Sequence, residues 1–273
     1  MLRRRGLAIR LWAVQVNLMV GRITTLYRYP VKGFTPERRR EARLAEGRYF
    51  PCDRLYAVEN GPSGFDPLAP IFIAKSRFTV LAQIPKLALV QTAFDETTGI
   101  LTARTSGRAS FAGPLVETAG REAFAAWLTD FLGQELVNGP LRVLSAPPHA
   151  FTDSRSGFVS VVNLASVRDL SSRLGRAVNP LRFRANLYVD GWAPWAELDW
   201  REGGGVRLGA SRAEVLKPIV RCLATHVDPE TGKRDIDLVP ALRDFYGHVL
   251  CGVYLNVVKG GRVLENDPAD LMA

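Results

Sequence analysis

Apolar residues in this chain come in short runs of Val, Ile, Leu, Phe and Tyr closed by Gly, Pro, Asp or Asn, the punctuation of β-structure. Between Ile23 and Phe111 the runs ITTLYRYPV, RLYAVE, IFIA, TVLAQI, LALVQTAF and ILTART are predicted strands, broken by GPSGFDPLAP and by the hairpin signal DETTG. Such a succession predicts a barrel or a strongly curved sheet. The first helical period falls at Thr118 to Leu132, where Phe124, Leu128 and Phe131 share a face, Thr118 can cap the start and Gly133 the end. A second helix is predicted from Leu164 to Leu174 between the cap Asn163 and the terminator Gly175. Strands return in LRFRANLYVDG, AELDW, VRLGASRAEVL, IVRCLATHV and GVYLNVVKGGRVL, with one short helix around Pro240 to Tyr246.

The predicted class is therefore mainly β with a few helices (α+β). Residues 1–20 read as an extension outside the fold, 21–117 as a β-barrel-like N-terminal region, and 118–273 as a second β-rich domain opened by the helix at Thr118. The chain shows no internal repeat. At 47% hydrophobic and 23% charged residues over 273 positions it has the make-up of a soluble globular protein. Three cysteines without a CxxC pair exclude a disulfide scaffold, a zinc ribbon and a four-cysteine iron–sulfur cluster within the chain, and the cytoplasm is the expected compartment.

The net charge of +9 suggests an anionic partner, although Arg3, Arg4, Arg5 and Arg10 supply +4 of it before Met19, a plausible alternative start. That basic, partly apolar opening is interrupted by Arg10 and lacks a cleavage site, so it reads neither as a signal peptide nor as a membrane span. The run Arg38, Arg39, Arg40 beside Glu37 and Glu41 reads as solvated surface.

The chemistry centres on Cys222 in KPIVRCLATHVDPETGKRD. Beside Arg221 and near Lys217, its thiolate would be stabilised, and a thiolate is both a nucleophile and a soft-metal ligand; the alternative is a buried, inert thiol. Cys52, next to Asp53, and Cys251, in the apolar VLCGVYL, have weaker cases. Strand alternation would set Arg182, Arg184 and Asn186 on one face as a candidate phosphate site, the alternative being an exposed strand face. Lys32 and Gly33 follow a proline-fixed turn, and Arg54, Lys75 and Arg77 are further basic points at strand ends. His149, His226 and His248 lack zinc-ligand spacing, a Cys222–His226 dyad lacks an orienting third group, and Trp192, Trp195 and Trp200 read as core rather than as a stacking surface.

Taken in order, YPVKG, DRLYAV, NPLRFRANLYVDG, RC with THVDPETG, and GVYLNVVKGGRV resemble the MOSC proteins, relatives of the C-terminal domain of molybdenum cofactor sulfurase and of the amidoxime-reducing components. The resemblance implies a β-barrel-like N-terminal region packed on a β-barrel MOSC domain, with a molybdopterin-type molybdenum cofactor held between them. It makes Cys222 the metal ligand and catalytic residue. The cofactor contacts it implies are Lys32, Arg54, Arg184, Asn186 and Thr225, and with Gly33, Arg77, Asn163, Arg182 and Arg221 these make up the candidate site. Gly33 and Val220 depart from the pattern, standing where reductase-like members carry small polar residues.

The resemblance further implies reduction of an N-hydroxylated or N-oxide small molecule, with electrons from a separate ferredoxin-, flavodoxin- or cytochrome b5-like protein. The alternative is a cofactor carrier or sulfur-transfer protein bearing a persulfide on Cys222. The chain has no room for the pyridoxal-phosphate domain of full-length sulfurases, and too few cysteines for an appended ferredoxin domain. Neither a nucleic acid nor a membrane is an expected partner.

Overall fold

The computed structural model describes residues 20–133, 138–153 and 158–272; all but Val20 of the predicted 1–20 extension lies outside them. Its first half runs β1 (Gly21–Arg28), β2 (Glu37–Arg39), β3 (Glu41–Leu44), β4 (Tyr56–Asn60), β5 (Gln91–Phe94), β6 (Ile100–Arg104), β7 (Phe111–Pro114), α1 (Thr118–Leu132) and β8 (Leu141–Ser145). The second half runs β9 (Val159–Asn163), α2 (Leu164–Leu174), β10 (Leu187–Asp190), β11 (Gly205–Leu208), β12 (Ser211–Val220), α3 (Leu238–Tyr246), β13 (Leu250–Lys259), β14 (Gly261–Leu264) and β15 (Pro268–Leu271). Among the described residues no helix is long and apolar enough to cross a membrane.

Seven strands in the order β10-β9-β13-β12-β11-β15-β1 close into a barrel through the pairing of β1 with β10. The closing strand comes from the start of the chain: Ile23 sits opposite Val189 and Leu26 opposite Leu187, with a bulge between Ile23 and Thr25. All pairings in the barrel are antiparallel except β9 with β10, a parallel pair, which α2 connects. Alternate residues of these strands fill the interior, among them Ile23, Val159, Val161, Leu187, Val206, Val215, Val253 and Leu255. Barrel closure by β1 satisfies backbone groups that an open edge would leave bare.

The N-terminal region packs around a second core, in which Val31, Phe34 and Val58 meet Leu101, Phe111, Phe124 and Leu128. It holds the antiparallel sheet β5-β6-β7 and the pair β4–β8. Helix α1, which the sequence pattern sets at the opening of the second part, turns Phe124, Ala125, Leu128 and Leu132 into this first core. Gly120 permits the close approach, because a side chain there would collide with the Pro114 carbonyl of β7.

Several predicted strands are shorter than their apolar runs. IFIA and TVLAQI contain no strand; Lys75–Arg77 is a 3-10 turn, and Phe78 makes only a bridge to Glu59. AELDW folds instead as a 3-10 turn that buries Glu197 against Asn163 and Ser166. In LRFRANLYVDG only Leu187–Asp190 is extended. Asn179 accepts a hydrogen bond from the Leu181 amide at 3.0 Å and starts the 3-10 turn Pro180–Phe183, and Arg184 then adopts a left-handed φ of 51°. That geometry breaks the alternation expected to align Arg182, Arg184 and Asn186.

Candidate functional site

A cleft of about 380 Å³ opens where the first core meets the mouth of the barrel. Among its charged lining residues bases outnumber acids: Lys32, Arg54, Lys75, Arg182, Arg184, Lys217 and Arg221, against one carboxylate, Asp153. Such an imbalance in a concave, partly desolvated setting is an electrostatic site for an anion.

Lys32 is fixed by backbone pairing, its amide donating to the Tyr56 carbonyl at 2.8 Å. Lys32 is 6% exposed, and its ammonium donates to the Phe151 carbonyl at 2.9 Å and to Asp153. Burial pulls its pKa below the ordinary lysine value, and Asp153 opposes that shift. Gly33 follows with φ +88°, and a Cβ there would strike the Thr79 carbonyl, so the turn requires glycine.

Arg54, also left-handed at φ 52°, donates to Asp53 and, at 3.1 Å, to the Arg184 carbonyl. Both guanidiniums lie over one ring: Arg54 is 4.5 Å and Arg184 4.4 Å from the centroid of buried Tyr29. Among the described residues Arg184 has no carboxylate partner, and burial lowers its pKa, with the neighbouring Arg54 charge adding to the effect. Two guanidiniums against one ring, with a single carboxylate, Asp53, paired to Arg54, leave positive charge for a phosphate or comparable anion.

Cys222 stands half-buried on the opposite wall, where β12 ends and the 3-10 turn Leu223–His226 begins. Its carbonyl accepts from the amide of Thr225 at 3.0 Å and from the Thr225 hydroxyl at 2.9 Å, so Thr225 fixes the backbone that carries the thiol. Arg221 is an internal clamp, donating to the Cys251 carbonyl at 2.8 Å and the Phe183 carbonyl at 2.7 Å. Lys75 reaches across from the N-terminal region to Cys222 and, at 3.9 Å, to Asp153. Burial presses its pKa down, but Asp153 and Cys222 outweigh this and raise it.

The candidates therefore separate. Lys32, Gly33, Arg54, Arg184, Cys222 and Thr225 face the cleft together. Arg182 and Arg221 line it, but their terminal nitrogens are held by protein: Arg182 binds the His226 carbonyl at 2.9 Å, Asp228 at 2.8 Å and Asp235 at 2.7 Å, and only its buried Nε is left without a partner among the described residues. Asn186 lies outside it, bonded to Ser160 and to the Tyr27 carbonyl. Asn163 caps α2 and donates to Ala193 and Glu197. Arg77 is exposed beyond the lining. Lys217 and Lys75, named in the sequence only as basic neighbours, prove to line the site. Asp153, which pairs with Lys32 across 121 positions, carries no sequence signal at all.

The DPETG segment ties the two regions together. Asp228 accepts from the amides of Glu230 at 3.0 Å and Thr231 at 2.8 Å and so closes the turn, which sets Gly232 against Leu89, while Arg234 donates to the Ala82 carbonyl at 2.6 Å. His226 turns away from Cys222: its Nε2 accepts from the Val239 amide at 3.1 Å and its Nδ1 faces Asp237 at 3.2 Å, so no Cys–His dyad forms. Trp192 is core, 4% exposed with its indole donating to the Ala269 carbonyl at 2.8 Å.

Among the described residues no group of three or more His, Cys, Asp or Glu side chains could hold a metal ion. The site thus offers one sulfur ligand and an excess of cations. That donor set fits an anionic cofactor that brings its own metal and most of its ligands, and does not fit a bare ion held by protein alone.

Comparison with known families agrees with this architecture. The family model of the MOSC N-terminal beta barrel domain matches residues 20–135 and that of the MOSC domain matches residues 148–270. The chain thus belongs to the MOSC proteins and carries both of their domains. Among curated relatives, it is 32% identical to mitochondrial amidoxime-reducing component 1 of Mus musculus over 124 residues, 41% of this chain and 36% of that protein. It is 38% identical to molybdenum cofactor sulfurase of Anopheles gambiae over 77 residues, 28% of this chain and 10% of that protein. The chain therefore matches about a third or less of the length of these relatives. A solved structure, the YUAD protein from Bacillus subtilis, aligns over 93% of this chain and 96% of that one at 12% identity and a TM-score of 0.43.

Proposed function

We propose that the protein holds a molybdopterin-type molybdenum cofactor in the cleft and reduces N-hydroxylated or N-oxide compounds. The observation that carries the reading is a half-buried thiol, Cys222, facing a cleft that presents seven basic side chains to one acid. Relatives named for amidoxime reduction and for the molybdenum cofactor support it. The cytoplasm is part of the proposal, in keeping with three free cysteines.

When bound, such a cofactor supplies a metal that exchanges electron pairs and oxygen with substrate. The chain's own residues hold and orient it. In this reading Arg54 and Arg184 would take its phosphate, the Gly33 turn would let backbone approach closely, and Cys222 would supply the protein sulfur ligand. Thr225 and Arg221 lock the Cys222 segment, and Asp153 keeps Lys32 and Lys75 on the cleft wall. For an N-hydroxylated substrate the balance is R–NHOH + 2e⁻ + 2H⁺ → R–NH₂ + H₂O. The electrons come from a separate donor, and the exposed side of the cleft admits protons from water.

The test is elemental and pterin analysis of wild type and Cys222→Ser made in a host competent for cofactor synthesis. Near-stoichiometric molybdenum in wild type and turnover of an N-hydroxylated substrate with a small reductant support the proposal. Absence of molybdenum and pterin from wild type would overturn it, and transfer of intact cofactor to a cofactor-free acceptor without turnover would favour the carrier reading.

A further inference from the structure

Two large apolar side chains flank Cys222 and stand out into solvent: Val220 is 68% and Leu223 53% exposed. Leu223 is not part of the cleft lining, so a small molecule inside the cleft would leave it bare. Scattered singly, such side chains need no explanation; here two of them stand together beside the thiol at the mouth of a basic cleft. Around them lie cations. Lys75 is 44% exposed at its side chain and reaches Cys222, Arg77 sits exposed on the same turn as Lys75, and Lys217 is exposed three residues before Val220. Arg234 is exposed at the seam where it meets the Ala82 carbonyl. The one acid of the lining, Asp153, is already paired with Lys32 and Lys75.

We propose that this mouth is the docking face for an acidic one-electron carrier protein, with Val220 and Leu223 as its apolar centre and Lys75, Arg77, Lys217 and Arg234 as its basic surround. The inference rests on the reductase reading and adds where the donor binds and what charge it bears. Each turnover takes two electrons, so two reduced carriers dock in succession and each leaves oxidised by one electron. The N–O bond of the substrate breaks, and its oxygen departs as water with two protons from solvent. An apolar centre of two side chains excludes water over a small area, and the charges steer the encounter, which suits a partner that must arrive and leave quickly.

The test titrates the oxidised holoprotein with an oxidised plant-type [2Fe–2S] ferredoxin as the acidic probe and cytochrome c as the basic control. Ferredoxin should bind saturably, weakening at least about tenfold between about 50 and about 300 mM NaCl, and cytochrome c should not bind. Leu223→Glu and Arg77→Glu should each weaken ferredoxin binding about tenfold further, by like-charge repulsion and by loss of a cation. Both variants should keep wild-type turnover with reduced methyl viologen. The docking assignment falls if ferredoxin fails to bind, if the variants bind it as wild type does, if cytochrome c binds equally, if a short DNA duplex displaces ferredoxin, or if the variants lose viologen turnover in parallel. Binding is read without turnover, so an inactive protein that docks ferredoxin would sink the reductase reading and leave the face standing.

Discussion

Arg182 and Arg184 are two positions apart, both line the cleft, and should fail in opposite ways when truncated. Among the described residues Arg184 has no carboxylate partner; its guanidinium lies 4.4 Å from the Tyr29 centroid and near the like charge of Arg54. Its carbonyl, which accepts from Arg54, survives replacement by alanine. Arg184→Ala therefore loses a cation–π contact and relieves a repulsion, and should change folding stability by less than about 1 kcal/mol. If Arg184 binds the cofactor anion, the same change removes charge-assisted hydrogen bonds worth about 1.5–3 kcal/mol, or about 10- to 150-fold in the dissociation constant. Arg182 is 3% exposed, and its removal takes one cation from Asp228, Asp235 and the His226 carbonyl at once, leaving Asp228 its turn amides and Asp235 its pair with Arg176. Breaking a buried pair costs about 3–5 kcal/mol, and partial solvation of the two acids puts Arg182→Ala near the lower end, about 3. Urea unfolding of each variant gives stability, and molybdenum and pterin per chain after gel filtration give retention. The reasoning fails if Arg184→Ala keeps full cofactor, or if Arg182→Ala unfolds at the wild-type urea midpoint.

Cys222→Ser should abolish molybdenum retention while leaving the urea midpoint within about 1 kcal/mol of wild type, because oxygen replaces sulfur at a half-buried site; retained metal would refute the ligand assignment. At pH 8, iodoacetamide should label Cys222 of cofactor-free native protein and spare Cys251, which is fully buried with its thiol pushed up to about 12; mass spectrometry showing Cys251 labelled first would contradict this. Gly33→Ser, which would install the side-chain donor absent here, should cost about 1–3 kcal/mol, since φ is +88° and a Cβ would collide with the Thr79 carbonyl oxygen; unchanged thermal stability would show the turn to be otherwise. Burial depresses the pKa of His226, and its Nε2 accepts an amide hydrogen bond that a protonated ring cannot accept. The unfolded state then binds the proton more readily, so this contribution is full above the ordinary histidine pKa of about 6.5 and is lost as pH falls through the lower folded value. Urea midpoints at pH 7.5, 6 and 5 should decline more in wild type than in His226→Gln, and equal slopes would refute it.

The class and much of the barrel were legible because its strands bury one face each: the alternation in VRLGASRAEVL appears intact in β11 and β12, where Val206, Leu208, Ala213 and Val215 point inward. The helix at Leu164 was legible down to its cap, with Asn163 accepting from the Ala165 amide at 3.0 Å and Gly175 left-handed at the end. What failed were runs whose apolar content is real but whose backbone is bent by local side-chain hydrogen bonds. In NPLRFRAN, Asn179 and Pro180 favour a turn over extension, and a period of two says nothing about that competition. Charge alone also could not separate Arg182 from Arg184. The partners that immobilise Arg182 lie 44 to 53 positions away, in a turn whose closure by Asp228 is itself a tertiary fact.

Strand β1 explains why the site can be shared by two regions and still hold a fixed geometry. It leaves the barrel at Arg28, and the next residues deliver Tyr29 against the Arg54 and Arg184 guanidiniums, the Val31 bridge to Tyr56, and then Lys32 and Gly33 on the cleft wall. Arg28 itself is 2% exposed and pinned by Glu37 at 2.6 Å, Glu96 at 3.1 Å and the Phe94 carbonyl at 2.8 Å, so the exit from the barrel is anchored to the sheet of the other core. The Lys32 wall is thus covalently continuous with a barrel strand, and the Cys222 wall is the end of another, β12. A hinge between the regions would have to break the β1–β10 pairing that closes the barrel or the Arg28 anchor, together with the Arg234 contact to the Ala82 carbonyl. The first two consist of backbone or buried hydrogen bonds, and losing either set is costly against a total stability of about 5–15 kcal/mol. The spacing between the basic wall and the thiol is therefore set by the fold before any anion arrives, which is the preorganisation a tightly held, many-contact ligand requires.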